Sequence, residues 1–157
     1  MVKMIKIGRG RYHQAMESIF RKVGYSFQVL SLGKILINKQ GRKIYVLIAG
    51  KKLPYDTIYG EGFPWETHMR PETLKMFENE ARQYGAESWI AFCYAILNDK
   101  YKDDFSVIVT LDGIEYGTRM IKTSDFWKSA QRRSLSWRKV DLPREKVVQI
   151  THNPEEI

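Results

Sequence analysis

The chain is poor in cysteine: Cys93 stands alone among 157 residues. One thiol cannot close an intramolecular disulfide, and a cysteine-rich zinc site is excluded with it. That fits a reducing, intracellular setting. Long apolar runs are missing as well. The most apolar stretch, WIAFCYAIL (89–97), is half the roughly 18 residues a membrane helix needs. The opening MVKMIKIGRG lacks the apolar stretch of a secretory signal. A soluble, intracellular protein with no membrane partner is therefore expected. Repeats and low-complexity tracts are absent. Acids are scarce relative to bases: 26 Lys+Arg face 18 Asp+Glu, a formal net charge of +8. Such a surface attracts nucleic acid, an anionic membrane face or an acidic protein.

Familiar catalytic signatures are also lacking. There is no GxxxxGK[ST] phosphate loop, no GxGxxG after a strand, no HExxH and no GxSxG elbow. His13, His68 and His152 lie far apart in sequence and outline no ligand set.

What is present is enough for one domain over 1–157, with a polar tail at 151–157. The 43% hydrophobic content can fill a core. In RYHQAMESIFRKV (11–23), Tyr12, Ala15, Met16, Ile19, Phe20 and Val23 recur at helical spacing, and Gly24 follows as a cap. SFQVLSL (26–32), KILINK (34–39) and RKIYVLIA (42–49) read as strands, with turns at Gly33 and at Gln40-Gly41. KILIN and IYVLIA are apolar at consecutive positions, so their sheet should be covered on both faces.

Residues 53–70 hold two prolines, two glycines and four aromatics without a period. A connection of this kind is a functional loop or an irregular one. PETLKMFENEARQY (71–84) predicts a helix burying Leu74, Phe77, Ala81 and Tyr84. WIAFCYAIL predicts a central strand. FSVIVTL and IEYGTRMIK flank Asp112-Gly113, a strong hairpin signal. Thr123 or Ser124 can cap a short helix, and EKVVQI (145–150) can form a last strand. The fold class is α+β: a mainly antiparallel or mixed sheet with about three helices.

The bases cluster. Arg9 and Arg11 precede the first helix, and Lys39, Arg42 and Lys43 ring a hairpin tip. Lys51 and Lys52 end the third strand. Arg132, Arg133, Arg138 and Lys139 share a segment with Trp127 and Trp137. Such clusters either form a solvated face or neutralise phosphates and release counterions. The tryptophans either stack on bases or pack.

Phosphodiester hydrolysis needs an in-line nucleophile and positive charge near the non-bridging oxygens. Mg2+ often supplies that charge from one or two carboxylates, a site that leaves little mark in sequence. The useful criterion is an acid on a rigid element beside a basic surface. Glu87, between a helix cap and the central strand, meets it; its plainer role is to mark the polar edge of the sheet. Arg82 or Lys52 could offset charge beside it. Glu17 and His13, four apart on one helix, could assist or could form a surface pair. Asp56, Glu61, Glu66 and His68 lie in the long loop, and Asp103-Asp104 reads as a turn.

The order helix, three strands, helix, strand resembles the core of restriction-endonuclease-like nucleases. Lys34 and Leu47-Ile48-Ala49 stand where that family carries an Asp and a Glu-x-Lys, so its metal site is not transferred. In length, basic character and the segment YGAESWIAFCYAIL, the chain also resembles the small nucleases of filamentous viruses of hot, acidic archaea. That resemblance implies an α+β fold remotely akin to nucleotidyltransferases, action on linear double-stranded DNA in the host cytoplasm, and an essential glutamate at Glu87. The expectation is a nuclease, with Glu87 as catalytic residue and ligand of Mg2+. The alternative is a DNA-binding packaging or regulatory protein without catalysis.

Overall fold

The computed structural model describes residues 9–51, 66–67, 70–96, 108–111, 113–133, 140–141 and 144–149. The expected α+β class is what it has. Helix α1 (Arg9–Lys22) leads into a three-stranded antiparallel meander, β1 (Ser26–Ser31), β2 (Lys34–Lys39) and β3 (Arg42–Lys51). After the two-residue β4 (Glu66–Thr67), α2 (Pro71–Gln83) returns the chain to β5 (Glu87–Ile96), which pairs parallel to β3. The hairpin of β6 (Ile108–Leu111) and β7 (Ile114–Lys122) follows, then α3 (Thr123–Arg133), β8 (Val140–Asp141), a single 3-10 turn at Arg144–Lys146, and β9 (Val148–Gln149). The main sheet runs β1-β2-β3-β5-β7-β6. β9 also joins the outer side of β7, and β4 and β8 form a separate pair.

The turns form where the residues permit them. Gln40 and Gly41 both take positive φ, 54° and 85°. That is the geometry whose twist matches a two-residue hairpin, and glycine adopts it without strain. The Asn38 side chain secures the turn by accepting the Gly41 N–H.

Alternation along the strands divides the core in two. On one face α1 lays Tyr12, Ala15, Met16, Ile19 and Phe20 over Ile35, Ile37, Ile44, Val46, Ile48, Trp89, Ala91, Cys93, Tyr116 and Met120. On the other, Leu74, Phe77 and Ala81 of α2 and Phe126 of α3 cover Tyr45, Leu47, Ile90, Phe92 and Ile121. β3 and β5 are thus buried on both sides, as their unbroken apolar runs require. Each Ile, Leu or Phe so buried contributes roughly 1.5–3 kcal/mol of transfer free energy.

Four expectations are corrected. Tyr84 is 42% exposed, because the helix ends at Gln83 and Tyr84 is its cap residue, packed on the Tyr45 ring at 5.3 Å but open to solvent beyond the last turn. Thr123 is buried, and its hydroxyl bonds to Glu78 and Ser88. The expected strand 145–150 begins as a 3-10 turn and pairs only at Val148–Gln149. Glu17 pairs with Arg21 at 2.7 Å, while His13 is buried and its Nε2 accepts the Gly33 N–H at 3.2 Å.

Candidate functional site

Glu87 opens β5. In the parallel register it lies opposite Ile44, two residues after Arg42. On its other side, Trp89 faces Lys122, the last residue of β7. Strand parity therefore places Arg42, Glu87, Trp89 and Lys122 on the α1 side of three adjacent strands, just beyond the buried layer of Ile44 and Met120.

There the carboxylate gathers donors. Arg42 grips it with two bonds, Nε to Oε2 at 2.5 Å and Nη2 to Oε1 at 2.9 Å. The Trp89 indole N–H reaches Oε1 at 3.4 Å, and Lys122 Nζ stands 4.0 Å from the same oxygen. Lys122 also lies over the Trp89 ring, 5.6 Å from its centroid. The Arg42 bonds, aided by Trp89 and Lys122, hold the Glu87 carboxyl below its ordinary range against the opposing effect of burial. The side chains of Arg42, Glu87 and Lys122 are 39%, 36% and 48% exposed. A pair this accessible to solvent contributes roughly 0–1 kcal/mol to stability, so burial does not lock the arrangement.

More positive charge surrounds it. Lys39 faces Arg42 across the β2–β3 hairpin and lies over the Tyr25 ring, 5.5 Å from its centroid. Lys43 follows Arg42 and is exposed. Lys39, Arg42 and Lys122 thus share the α1 face at one end of the sheet with Glu87, while Lys43, of opposite parity, lies on the Tyr45 face of the same end.

The other anticipated bases are elsewhere. Arg11 is exposed in the first turn of α1 and bonds to Gln14. Arg9 opens that helix, Lys51 ends β3 at the far end of the sheet, and Arg132 and Arg133 close α3. Lys52, Arg138, Lys139 and Trp137 lie outside the described residues, as do Asp56, Glu61, His68, His152 and Asp103-Asp104. Arg82, expected beside Glu87, bonds to Asn79 on its own helix. Arg42 and Lys122 take the place foreseen for it. The role of Lys122 depends on β7 pairing with β5, which no local pattern announces.

Two further carboxylates anchor α2. Glu80 accepts Lys34 Nζ at 2.7 and 3.0 Å and the Tyr45 hydroxyl at 2.7 Å. Glu78 accepts the Trp127 indole N–H at 2.6 Å and the Thr123 hydroxyl at 3.0 Å, and Thr123 is 2.6 Å from Ser88 Oγ. Trp127 is thereby engaged in packing α3 against α2. Cys93 is not a nucleophile in waiting: full burial pushes its thiol up to about 12, against a smaller opposing effect of Thr118.

The described residues do not present a ready metal site. Among them no three His, Cys, Asp or Glu side chains converge, and both oxygens of Glu87 are taken by Arg42. Among the described residues, no helix is long and apolar enough to cross a membrane. Comparison with protein-family models, with curated proteins and with solved structures finds no match.

Proposed function

We propose that the protein is a nuclease that grips the backbone of linear double-stranded DNA at the Arg42 end of the sheet and hydrolyses it at Glu87. One observation carries the reading: a single carboxylate, fixed on a core strand, is held between Arg42 and Lys122, with Lys39 paired to Arg42 on the same face of the sheet. Positive side chains at a hairpin tip and at strand ends can contact phosphates without reading bases. The element order α1, β1–β3, α2, β5 is the one on which the likeness to restriction-endonuclease-like nucleases rests.

In the proposed reaction a water attacks phosphorus in line and passes its proton to the Glu87 carboxylate. The bond from phosphorus to the leaving sugar oxygen breaks, and that oxygen takes a proton from solvent. The flanking cations offset charge on the non-bridging oxygens. For Mg2+ to use Glu87, it would have to take one oxygen from Arg42 and complete its shell with water and phosphate oxygens.

The bidentate pair favours a second reading, DNA binding without catalysis, because a carboxylate held as a counter-ion need do nothing more. Incubating purified protein with linear duplex DNA, with Mg2+ and with EDTA, separates the two. Cleavage by the native protein that is lost in Glu87→Ala, with folding intact, supports the nuclease. Salt-sensitive binding without cleavage in either arm leaves the binding protein. Absence of affinity for duplex DNA at moderate salt overturns both.

A further inference from the structure

We propose that Arg42, Lys122 and the Trp89 indole N–H form a binding site for one phosphate group, and that Glu87 is the resting occupant which the phosphate displaces. The inference rests on the nuclease reading for its biological ligand, but its geometry is independent of cleavage. Donors from three adjacent strands converge on a single carboxylate: the Arg42 fork at 2.5 and 2.9 Å, Trp89 Nε1 at 3.4 Å and Lys122 at 4.0 Å. A guanidinium fork fits the paired oxygens of a phosphate as well as those of a carboxylate. Trp89 is itself buried, so its N–H is held in place for whichever anion is present.

Charge and access both allow exchange. Arg42 and Lys122 carry two positive charges against the one of Glu87, so the site is underneutralised before Lys39, paired with Arg42, is considered. All three charged side chains are more than one-third exposed, which leaves an incoming anion a path to the donors. The pair stands at the end of the sheet, beyond the buried layer of Ile44 and Met120, with Trp89 and Tyr25 as its core neighbours. A backbone phosphodiester matches the carboxylate in charge, and inorganic phosphate in its dianionic form interacts more strongly with the two cations than the carboxylate does.

Exchange also prepares the acid. While Arg42 holds it, the carboxylate is a weakened base, since the Arg42 bonds, ahead of the smaller help from Trp89 and Lys122, favour its charged form. Losing Arg42 to a phosphate returns Glu87 toward ordinary carboxylate basicity, beside the group it is proposed to act on. Glu87 would therefore be restrained in the empty protein and released by the ligand.

The test uses the full chain with 15N-labelled arginine, free of DNA and metal, in EDTA. Inorganic phosphate is titrated at constant ionic strength against chloride, and the Arg42 Nε–H resonance is followed. A saturable shift is expected in the native protein. In Glu87→Gln the midpoint should fall on the order of tenfold, because a competing negative charge is removed. In Lys122→Ala it should rise. An Arg42 resonance that ignores phosphate in both native protein and Glu87→Gln, with spectra showing both folded, overturns the proposal. So does a Glu87→Gln midpoint equal to the native one. Because no DNA is present, the two readings fail separately. A silent Arg42 in a protein that cleaves DNA removes the exchange alone. A responsive Arg42 in a protein that does not cleave supports the site and removes the nuclease.

Discussion

Glu80 and Glu87 invite comparison. Each is an acid bound to a cation and an aromatic donor, each is about one-third exposed, and each is held below its ordinary range chiefly by that cation. They sit on opposite faces of the sheet. Glu80, on α2, meets one lysine and the hydroxyl of Tyr45, whose ring stacks on Phe77 at 4.7 Å. Its charge is balanced and its partners belong to the core, so the cluster fastens a helix to a sheet. Glu87 meets an arginine and a lysine, and Lys39 pairs with that arginine on the same face. The surplus of positive charge there lies over aromatic rings, Lys122 on Trp89 and Lys39 on Tyr25, and is not balanced by a second acid in contact with it among the described residues. A balanced pair and an overcharged one therefore look alike at the level of single bonds and differ in what they can attract.

The sharpest way to break this comparison is to neutralise both acids. Glu87→Gln should slow cleavage of linear duplex DNA by about 10²–10⁴-fold, the range for loss of a positioned proton acceptor. Glu80→Gln should leave the cleavage rate unchanged and lower the melting temperature. Equal loss of activity in both variants would mean that Glu87, like Glu80, only supports the fold.

Arg42→Ala comes next. It should weaken duplex binding and reduce the slope of log K against log salt by about 0.9, one phosphate contact. Lys34→Ala should leave that slope as it is. A smaller effect is expected from Tyr45→Phe. It removes a hydrogen bond to a charged group while keeping the ring on Phe77, so stability should fall by roughly 1.5–3 kcal/mol in chemical denaturation. An unchanged midpoint would detach Tyr45 from the role assigned to it.

The two clusters were not equally legible. Apolar spacing delivers α1, the meander and the β6–β7 hairpin, because side-chain period and turn chemistry are local. The stretch WIAFCYAIL gives a central strand because its unbroken apolar run is short and aromatic-rich and follows a glycine helix cap, which suits a strand buried on both faces. Glu87 stands out for the same reason, as the acid where that run begins. Its partner does not stand out. Arg42 is 45 residues away, and only the parallel register of β3 with β5 brings it to the carboxylate. Glu80 is one of three acids in the α2 sequence, and nothing local distinguishes it from the others. The missed positions share a cause. Tyr84 and Thr123 depend on where a helix stops and what lies across it, and composition is blind to both.

The smallest effect concerns how each pair responds to acid. Glu80 has its folded-state pKa lowered by Lys34 first and by Tyr45 second, against the effect of burial. A lowered value means that the pair's contribution is fully present above the ordinary carboxylate value of 4.5 and is lost as pH falls through the folded value. Lys34→Ala should therefore cost roughly 0–1 kcal/mol near neutral pH, as pairs about one-third exposed do, and progressively less in acid. Thermal melts of native protein and Lys34→Ala should converge below that pH. Arg42→Ala should converge with the native protein in the same window, since Glu87 is lowered in the same sense by Arg42. What separates the two is salt. Added salt should erode the Lys34 difference, because it screens an attraction between neutral-sum partners. At Arg42 added salt should erode the difference less, since removing that cation also relieves its repulsion from Lys39 and Lys122. Melts at low and high salt that changed by the same amount for both variants would show the surplus charge around Glu87 to be without energetic consequence.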